Sequence, residues 1–329
     1  MKVTLKQVAQ ATGVHYSTVA SILNNARGNS RFSEQTLNRV KSVAQQLGYV
    51  ANLDAQRLKT NRTMTIGFAA GDIRNPFFAE LSIALEVKLL SQGYELLLAS
   101  HAQSNPVEDA QRIQKLVGRS VDAMIVWTED QDTITPQQIQ QQRGKVVWLG
   151  WCEGGCYQVH VDVQAGLKQV AQHLANEGHQ SVGFYGPQSF THPTPTRRQV
   201  LFEIIAKHHQ LHPVSLLHTG QSWDIQTATR CGKQAWKAVK QNGLTAVVAY
   251  NDVAAMGLLL SRPAKSKSIP VIGFDGTPLL KSWQPAITHV SFSMDQMVDA
   301  VTELALHAAQ NKRPPRKQYL HHIEPLLVV

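Results

Sequence analysis

"VTLKQVAQATGVHYSTVASILNN", residues 3–25, decides how the chain begins to fold. Thr4, followed three positions later by Gln7, fits a capping box, in which each residue's side chain satisfies a free backbone N–H group of the other. This pair predicts that a helix begins at about residue 5. Gly13 predicts the end of that helix, because glycine adopts the left-handed backbone conformation that closes a helix.

A second helix is expected over about residues 15–24. Its inward side is apolar, with Val19, Ile22 and Leu23. Its outward side carries hydroxyl and amide groups without charge pairs, from Ser17, Ser21 and Asn24. Two short helices joined by a tight glycine turn are typical of a helix-turn-helix.

A third helix is expected to begin near Ser33 and to end at Gly48. Its apolar positions recur at the helical spacing of three and four residues and are Leu37, Val40, Ala44 and Leu47. Three short helices around one small apolar core form the smallest unit of this kind that folds.

The polar outer side of the second helix admits two interpretations. It could enter the major groove of DNA, where short side chains approach base edges, with Tyr16 and Ser17 at the leading end and Ser21 one turn later. It could instead belong to a protein-interaction module. Residues 1–62 hold nine Lys and Arg against Glu34 and Asp54, and this local basic excess favours DNA.

Composition limits the class of protein. The chain has 329 residues, a net charge of +9 and 43% hydrophobic residues, which indicates a globular protein of about two domains and a small module. Its apolar runs are too short to span a bilayer. The three cysteines, with no secretion signal at the N-terminus, lead us to expect a cytoplasmic protein without a disulfide framework.

From residue 64 onward, apolar runs alternate with helical stretches, which predicts α/β architecture with parallel sheets covered on both faces. The expected strands lie at 64–70, 94–100, 121–127, 145–150, 181–186, 245–250 and 269–274. The expected helices lie at about 77–91, 106–117, 164–177, 226–241 and 252–261. We expect two doubly wound lobes, about 63–160 plus 291–322 and 161–290 plus 323–329, with a small ligand bound between them.

Candidate ligand-binding side chains follow or end these strands, apart from Trp223, which lies in a loop. They are Phe77, Phe78, Trp127, Arg198, Trp223, Asp252 and Asp275. Carboxylates and a guanidinium pair with vicinal hydroxyls, and aromatic faces stack on a sugar or a base. Each aromatic residue could equally belong to the core, and Asp252 could equally cap a helix.

Other functions find little support in the sequence. It contains no Gly-x-Gly-x-x-Gly after a strand, no phosphate loop, no Gly-x-Ser-x-Gly and no His-Glu-x-x-His, so we expect neither an enzyme nor a cofactor. Cys152, Cys156 and His160 lack the second cysteine pair of a structural zinc site, so we expect no metal. A secreted sugar-binding protein would not explain the basic N-terminal part.

The chain resembles the lactose/galactose repressor family (LacI/GalR) along nearly its whole length. The resemblance begins with residues 3–25 and "SEQTLNRVKSVAQQLGYVANLDAQRL" at 33–58. It continues in the same order through "IGFAAGDIRNPFFAEL", "VDAMIV", "HLANEGHQSVGFYG", "NDVAAMG" and "VIGFDG". The family implies a helix-turn-helix headpiece over 1–50, a hinge and linker over 51–62, and a two-lobed periplasmic-binding-protein-like effector domain over 63–329.

The resemblance also implies the roles of particular residues. Base contacts fall on Tyr16, Ser17 and Ser21, and DNA-backbone contacts on Thr4, Thr18, Asn24 and Arg31. A hinge helix in the minor groove would use Asn52, Ala55 and Leu58, with Leu58 as a wedge between base pairs. Ala51 departs from the proline of many members, which leaves the chain before the hinge less restricted. Arg198 and Asp275 match the effector clamp, and Phe78 and Trp223 match common effector contacts.

These features together predict a transcription regulator, most simply a repressor, that binds a pseudo-palindromic operator as a homodimer. A small effector between the lobes, most simply a carbohydrate, would change its DNA affinity. No heptad repeat follows the last strand, which favours a dimer over a tetramer. The alternative is a cytoplasmic sugar- or nucleoside-sensing protein without operator specificity.

Overall fold

The structure is a computed structural model that describes residues 3–23, 31–50, 62–100, 106–128, 145–150, 157–187, 197–218, 224–310 and 319–329. The chain divides into two compact units, residues 1–63 and 64–329. We describe each unit by itself.

The first unit contains three helices, α1 (Leu5–Thr12), α2 (Tyr16–Leu23) and α3 (Glu34–Gln46). The capping box forms as predicted, because the Thr4 N–H group donates to Gln7 Oε1 over 2.8 Å. Gly13 closes α1 in the left-handed conformation with φ of 65°. The core of the unit joins all three helices through Val8, Val19, Ile22, Val40 and Ala44.

One residue departs from the predicted core of the first unit. Leu47 was expected to extend the apolar row of the third helix, but α3 ends at Gln46 and Leu47 is 40% exposed. The spacing continues in the sequence for one residue after the helix has ended. Leu47 therefore follows the turn towards Gly48 instead of the buried face.

The second unit contains two six-stranded sheets, one in each of the two predicted lobes. The first has the order β11-β5-β4-β3-β1-β2, and its strand pairs are parallel. Its strands are β1 (Thr65–Ala69), β2 (Glu95–Ala99), β3 (Ala123–Thr128), β4 (Val146–Gly150), β5 (Tyr157–Val161) and β11 (Tyr319–Ile323). The central strand β1 is buried throughout, whereas the edge strand β2 is partly exposed.

The second sheet has the order β12-β10-β9-β8-β6-β7 and is parallel apart from the antiparallel pair β10 and β12. Its strands are β6 (Ser181–Pro187), β7 (His212–His218), β8 (Ala246–Ala249), β9 (Val271–Asp275), β10 (His289–Phe292) and β12 (Pro325–Val328). Each sheet is the centre of one lobe.

Helices cover both sheets. They are α4 (Pro76–Ser91), α5 (Pro106–Gly118), α6 (Val163–Asn176), α7 (Arg197–His208), α8 (Ile225–Gln241), α9 (Asp252–Leu260), α10 (Pro278–Lys281) and α11 (Met294–Gln310). None of the helices in the described ranges is both long and apolar enough to cross a bilayer. The predicted fold class, a three-helix headpiece with a two-lobed α/β body, is confirmed.

The chain passes between the two sheets at short connections. It leaves the first sheet after β5, at Asp162, and returns after β10, at Ser293, because α11 packs on β3, β4 and β5. It passes to the second sheet again between β11 and β12, at Glu324. These connections join the two lobes.

Candidate functional site

The leading end of α2 presents its polar side chains outward. Tyr16 is 47% exposed and Ser17 is also exposed, whereas Ser21 and Thr18 are half-buried. Val19 and Ile22 on the opposite side are buried. The helix therefore presents a short polar surface of the predicted kind. The role of this surface in contacting DNA bases stays a prediction.

His15 was missed by the sequence analysis. Its carbonyl oxygen accepts from the backbone N–H groups of Thr18 and Val19 over 2.9 and 3.1 Å, and so begins the helix. Its ring Nδ1 accepts from the backbone N–H group of Ser17 over 3.3 Å and lies 2.8 Å from the Ser17 hydroxyl. Because Nδ1 acts as an acceptor towards this N–H group, we assign the hydroxyl as a second donor to it. The Ser17 hydroxyl is thereby held in one direction.

Other predicted DNA contacts have mixed outcomes. Thr4 and Arg31 are exposed, as a contact to a phosphate requires. Five predicted site residues lie outside the described residues, and their roles stay predictions: Asn24, Asn52, Ala55, Leu58 and Trp223.

The second lobe brings Arg198 and Asp275 together at the carboxyl ends of its strands. Arg198 lies in the first turn of α7, and Asp275 ends β9. Arg198 Nη1 lies 3.7 Å from Asp275 Oδ1, and the two side chains are 8% and 12% exposed. The sequence placed these residues 77 positions apart at the ends of different strands, and the sheet makes them neighbours.

The Arg198 guanidinium is further held by aromatic rings and a backbone oxygen. It lies 4.5 Å from the centre of the Tyr250 ring and 4.6 Å from that of Phe274. Its Nη1 also donates to the Tyr250 carbonyl oxygen. Stacking and hydrogen bonding fix the plane of the guanidinium. The sequence analysis did not single out Tyr250.

The turn that follows β9 has an unusual backbone. Asp275 has φ of 114° and Gly276 has φ of 72°. A Cβ atom on Gly276 would lie 2.3 Å from Ser291 Oγ and 2.8 Å from Ser291 Cα. The second position of the turn therefore requires glycine. The first holds a non-glycine residue in a sparsely populated conformation, which is more frequent at functional sites than elsewhere.

Asp252 lies behind this turn. The side chain of Asn251, not of Asp252, caps α9 by accepting from the Ala254 N–H group over 2.9 Å. The Asp252 Oδ2 atom instead accepts from the backbone N–H group of Thr277 over 2.6 Å and from its hydroxyl over 2.8 Å. Burial raises the pKa of Asp252 to about 6, although the hydrogen bonds from Thr277 oppose the shift.

Three predicted aromatic residues meet in the first lobe. The ring centres of Phe77, Phe78 and Trp127 lie 5.2–5.4 Å apart, and each pair is edge-to-face. Phe77 and Phe78 follow the Asn75 cap of α4, and Trp127 lies in β3. Gly71 leaves space for the Phe78 ring, because a Cβ atom there would lie 2.4 Å from it. Phe77 and Phe78 are buried and Trp127 is half-buried, so the three rings pack against one another in this arrangement.

Arg74, which the sequence analysis also missed, connects the two lobes. It lies in the loop after β1 and pairs with Asp72 over 2.5 Å. Its Nη1 atom also lies 3.3 Å from Asp224 Oδ2, on the residue that caps α8 in the second lobe. The hydrogen bonds from Arg74 to Asp72 are the main cause that raises the pKa of Arg74. At this point the carboxyl-end loops of the two sheets face each other.

A metal centre is not apparent in the described part of the chain, where no three His, Cys, Asp or Glu residues cluster as ligands. Cys152 and Cys156 lie outside that part. The geometry thus offers hydrogen-bonding, ionic and aromatic groups to a ligand.

Comparison with known proteins adds two family matches. Residues 4–52 match the bacterial regulatory proteins of the lacI family, and residues 171–328 match a periplasmic binding protein-like domain. The first match covers α1, α2 and α3. The second covers most of the second sheet and its helices, including Arg198 and Asp275.

Whole-chain relatives are similar along nearly their full length. The HTH-type transcriptional regulator DegA of Bacillus subtilis (strain 168) is 27% identical over 341 aligned residues, which cover 100% of this chain and 97% of DegA. The fold is similar to that of the Lac repressor dimer bound to operator and the anti-inducer ONPF, with a TM-score of 0.78 and 19% identity over 99% of this chain and 98% of that one. It is also similar to that of the transcriptional regulator CelR–cellobiose complex, with a TM-score of 0.65, 19% identity and the same coverage. These relatives and structural neighbours are transcription regulators and not enzymes.

Proposed function

We propose a function from the premise that this chain belongs to the lacI family of bacterial regulatory proteins. In this proposal, the chain binds a pseudo-palindromic operator as a homodimer and represses transcription, and a small effector controls this binding. One observation carries the proposal. The chain joins an exposed polar helix in a basic unit to a buried Arg198–Asp275 pair at the carboxyl ends of a doubly wound sheet. The first feature suits DNA and the second suits a polar ligand.

DNA recognition is assigned to the leading end of α2. Tyr16, Ser17 and Ser21 would contact base edges in the major groove. Thr4, Thr18 and Arg31 would contact the phosphate backbone, so their contribution should weaken with added salt and depend little on sequence. Regulation of this kind takes place in the bacterial cytoplasm, at the nucleoid.

The effector is assigned to the cleft between the lobes. The Asp275 carboxylate can accept two hydroxyl groups and the Arg198 guanidinium can donate to others, which suits the vicinal hydroxyls of a carbohydrate. The edges of the Phe77, Phe78 and Trp127 cluster would supply an apolar wall. The neighbour whose complex contains cellobiose supports the same class of ligand.

The homodimer is assigned to an exposed apolar stripe on α4. Ile83, Val87 and Leu90 are spaced by four and three residues and are 62%, 67% and 65% exposed. Such a row on one helix face costs solubility unless another surface covers it. Pairing of two stripes would place two headpieces on one DNA site and explain the need for two half-sites.

The functional domains follow from this proposal. Residues 1–50 bind DNA, residues 51–62 connect this part to the rest of the chain, and residues 63–329 form two lobes that bind the effector. The effector must bind two lobe arrangements unequally, because otherwise it shifts no equilibrium. The Arg74–Asp224 ion pair stabilises one of these arrangements.

An unbiased selection from a random pool of DNA duplexes tests the proposal directly. The purified full-length chain should enrich a two-fold symmetric site at physiological salt, because two copies of α2 present the same contacts. Enrichment of an asymmetric site would overturn the dimer. The absence of any enriched sequence would favour a sensing protein without operator specificity.

A further inference from the structure

The Asp252 carboxylate is the strongest feature that the proposed function leaves unused. It is 1% exposed, so a ligand in the cleft does not reach it. Both hydrogen bonds from Thr277 end on the same atom, Oδ2, and thereby anchor the turn over residues 275–277. We propose that Asp252 is a positioning residue that fixes this turn and thereby directs the Asp275 carboxylate into the cleft. The inference rests on the proposed effector role of Asp275.

The turn needs such an anchor because its backbone is strained. Asp275 has φ of 114°, a conformation that persists only when its surroundings determine it. Arg198 holds the side chain of Asp275, and Ser291 packs against Gly276. Asp252 holds the next residue, Thr277, through both its backbone and its hydroxyl. Arg198, Ser291 and Asp252 thus each contact the turn, and Asp252 also receives a backbone hydrogen bond from Gly276.

Helix capping does not explain the choice of residue at position 252. Asn251 already caps α9, so Asp252 is not needed as its cap. A buried carboxylate costs folding free energy when it is ionised, and here burial raises its pKa to about 6. A residue that destabilises the fold while holding a strained turn is characteristic of functional positions.

Protonation of Asp252 has opposite local and global effects. Two other titratable groups lie near this part of the fold: His289, which lies beside Gly273 as Asp252 does, and Asp275, which belongs to the turn and pairs with Arg198. Because burial raises the pKa of Asp252 in the folded state, the folded chain binds the proton more tightly than the unfolded chain does. Protonation of Asp252 therefore increases the free energy of unfolding as the pH falls from about 6 towards the ordinary pKa of an aspartate. The neutral carboxyl accepts weaker hydrogen bonds, so the turn itself loosens over the same range.

Amide hydrogen exchange of the full-length protein tests the inference. The rate at Thr277, corrected for the intrinsic pH dependence of exchange, is compared between the wild type and three variants. Asp252→Leu removes the acceptor, Asp252→Asn keeps an acceptor oxygen without charge, and Thr277→Val removes the hydroxyl donor. The control Asp122→Asn changes another buried aspartate, which accepts from the Met64 N–H group over 3.0 Å in the first lobe, away from the turn.

Asp252→Leu should raise the Thr277 exchange rate at least about ten-fold, and Asp252→Asn less than about three-fold, because an oxygen still accepts from the turn. The wild-type rate should rise as pH falls through about 6, and the Asp252→Asn rate should not. Equal exchange in the wild type and Asp252→Leu would overturn the inference, as would failure of Asp252→Asn to rescue the turn. If Asp252→Leu does not fold, Thr277→Val and the wild-type pH profile decide in the same way.

Calorimetric titration with cellobiose, galactose, lactose and trehalose separates this inference from the proposed function. For any of these sugars that binds the wild type, Asp252→Leu should weaken binding at least about ten-fold and Asp252→Asn less than three-fold. A sugar bound equally by wild type and Asp252→Leu would overturn the link from the turn to the cleft. If none of the sugars binds but the exchange results hold, the carbohydrate proposal fails while the anchoring of the turn stands.

Discussion

At the scale of residues, the two proposed sites differ in how freely their side chains reach solvent. Ser17 is exposed on α2, and His15 directs its hydroxyl. Arg198 and Asp275 are almost buried, and aromatic rings hold the guanidinium. A surface that binds a long polymer must be open, whereas a cleft gains affinity for a small ligand from groups already in place.

Replacing Ser17 by Ala should relax operator preference and leave effector binding unchanged. The change removes a hydroxyl that can pair with a base, at a cost of about 1 kcal/mol, or roughly five-fold, at one position of the operator. Selection from a random DNA pool measures the preference. The control Ser42→Ala removes an exposed hydroxyl from α3. If both variants select the wild-type sequence at every position, Ser17 does not read bases.

Some of these residues could be identified from the sequence and others could not. Arg198 and Asp275 follow apolar runs that predict strands, so the sequence indicated that both lie at the carboxyl ends of strands. Arg74, Tyr250 and His15 act through partners that the pattern does not show. Arg74 pairs with a residue 150 positions away, Tyr250 contributes a backbone oxygen and a ring face, and His15 contributes a ring nitrogen to its neighbour.

At the scale of elements, the outer face of α4 is the feature with the clearest consequence. The helix is apolar on two faces, because its inner residues are buried in the first lobe and its outer face carries the Ile83, Val87 and Leu90 stripe. One salt bridge beside the stripe, from Lys88 to Asp299 over 2.7 Å, connects α4 to α11. An apolar face bordered by ion pairs resembles an interface with a polar rim.

Val87→Glu should convert the dimer to a monomer at micromolar concentration. Burying a carboxylate without a partner between two stripes costs several kcal/mol, whereas its cost on a free surface is small. Analytical ultracentrifugation measures the mass directly. Gln164→Glu places the same charge on an exposed position of α6 and should leave the dimer intact. A Val87→Glu protein that sediments like the wild type would remove α4 from the interface.

The elements that the sequence predicted are those with continuous apolar runs. Strands β1, β3 and β8 are central and buried, so their runs are unbroken. The pattern missed β5, β7, β10 and β11. In β5, Gln158 and His160 interrupt the apolar residues, and β7 and β11 lie at the edges of their sheets. An edge strand needs less apolar surface, and the β11 sequence "YLHHI" therefore resembles a loop.

At the scale of the whole molecule, the two lobes are joined by short connections at Asp162, Ser293 and Glu324. The Arg74–Asp224 ion pair also joins them and therefore favours the arrangement of the lobes seen here. Arg74 is partly exposed, so the contribution is about 0.2–1 kcal/mol. A contribution of this size is enough to tune the response of a regulator without deciding its fold.

Arg74→Met should weaken effector binding about 1.4- to five-fold, because it removes an attraction between the lobes and keeps a side chain of similar length. Small-angle scattering of the ligand-free protein should show a larger radius of gyration. Lys88→Met is the matched control, because its ion pair with Asp299 joins α4 and α11, which pack together in the first lobe. If the two variants bind the effector equally well, the Arg74 ion pair does not influence the lobe arrangement.

The sequence indicated the order of lobes and headpiece, because a basic three-helix unit precedes repeated strand–helix units. It did not indicate which loops of the two lobes face each other. Which loops face each other depends on how the carboxyl ends of the two sheets are placed and on Arg74, which pairs with Asp224 between them. Such contacts join residues far apart in the sequence, so the sequence pattern does not show them.

The central claim is that one molecule couples a cleft ligand to DNA binding, and fluorescence anisotropy with the selected operator tests it most directly. Wild type and Asp275→Ala are titrated with and without cellobiose, galactose, lactose, trehalose and a set of nucleosides. We expect one ligand to change the operator Kd of the wild type at least about five-fold, within the usual range of allosteric coupling. Asp275→Ala should bind the operator within two-fold of the wild type and ignore that ligand. A wild type unaffected by every ligand, or an Asp275→Ala protein that still responds fully, would contradict the account.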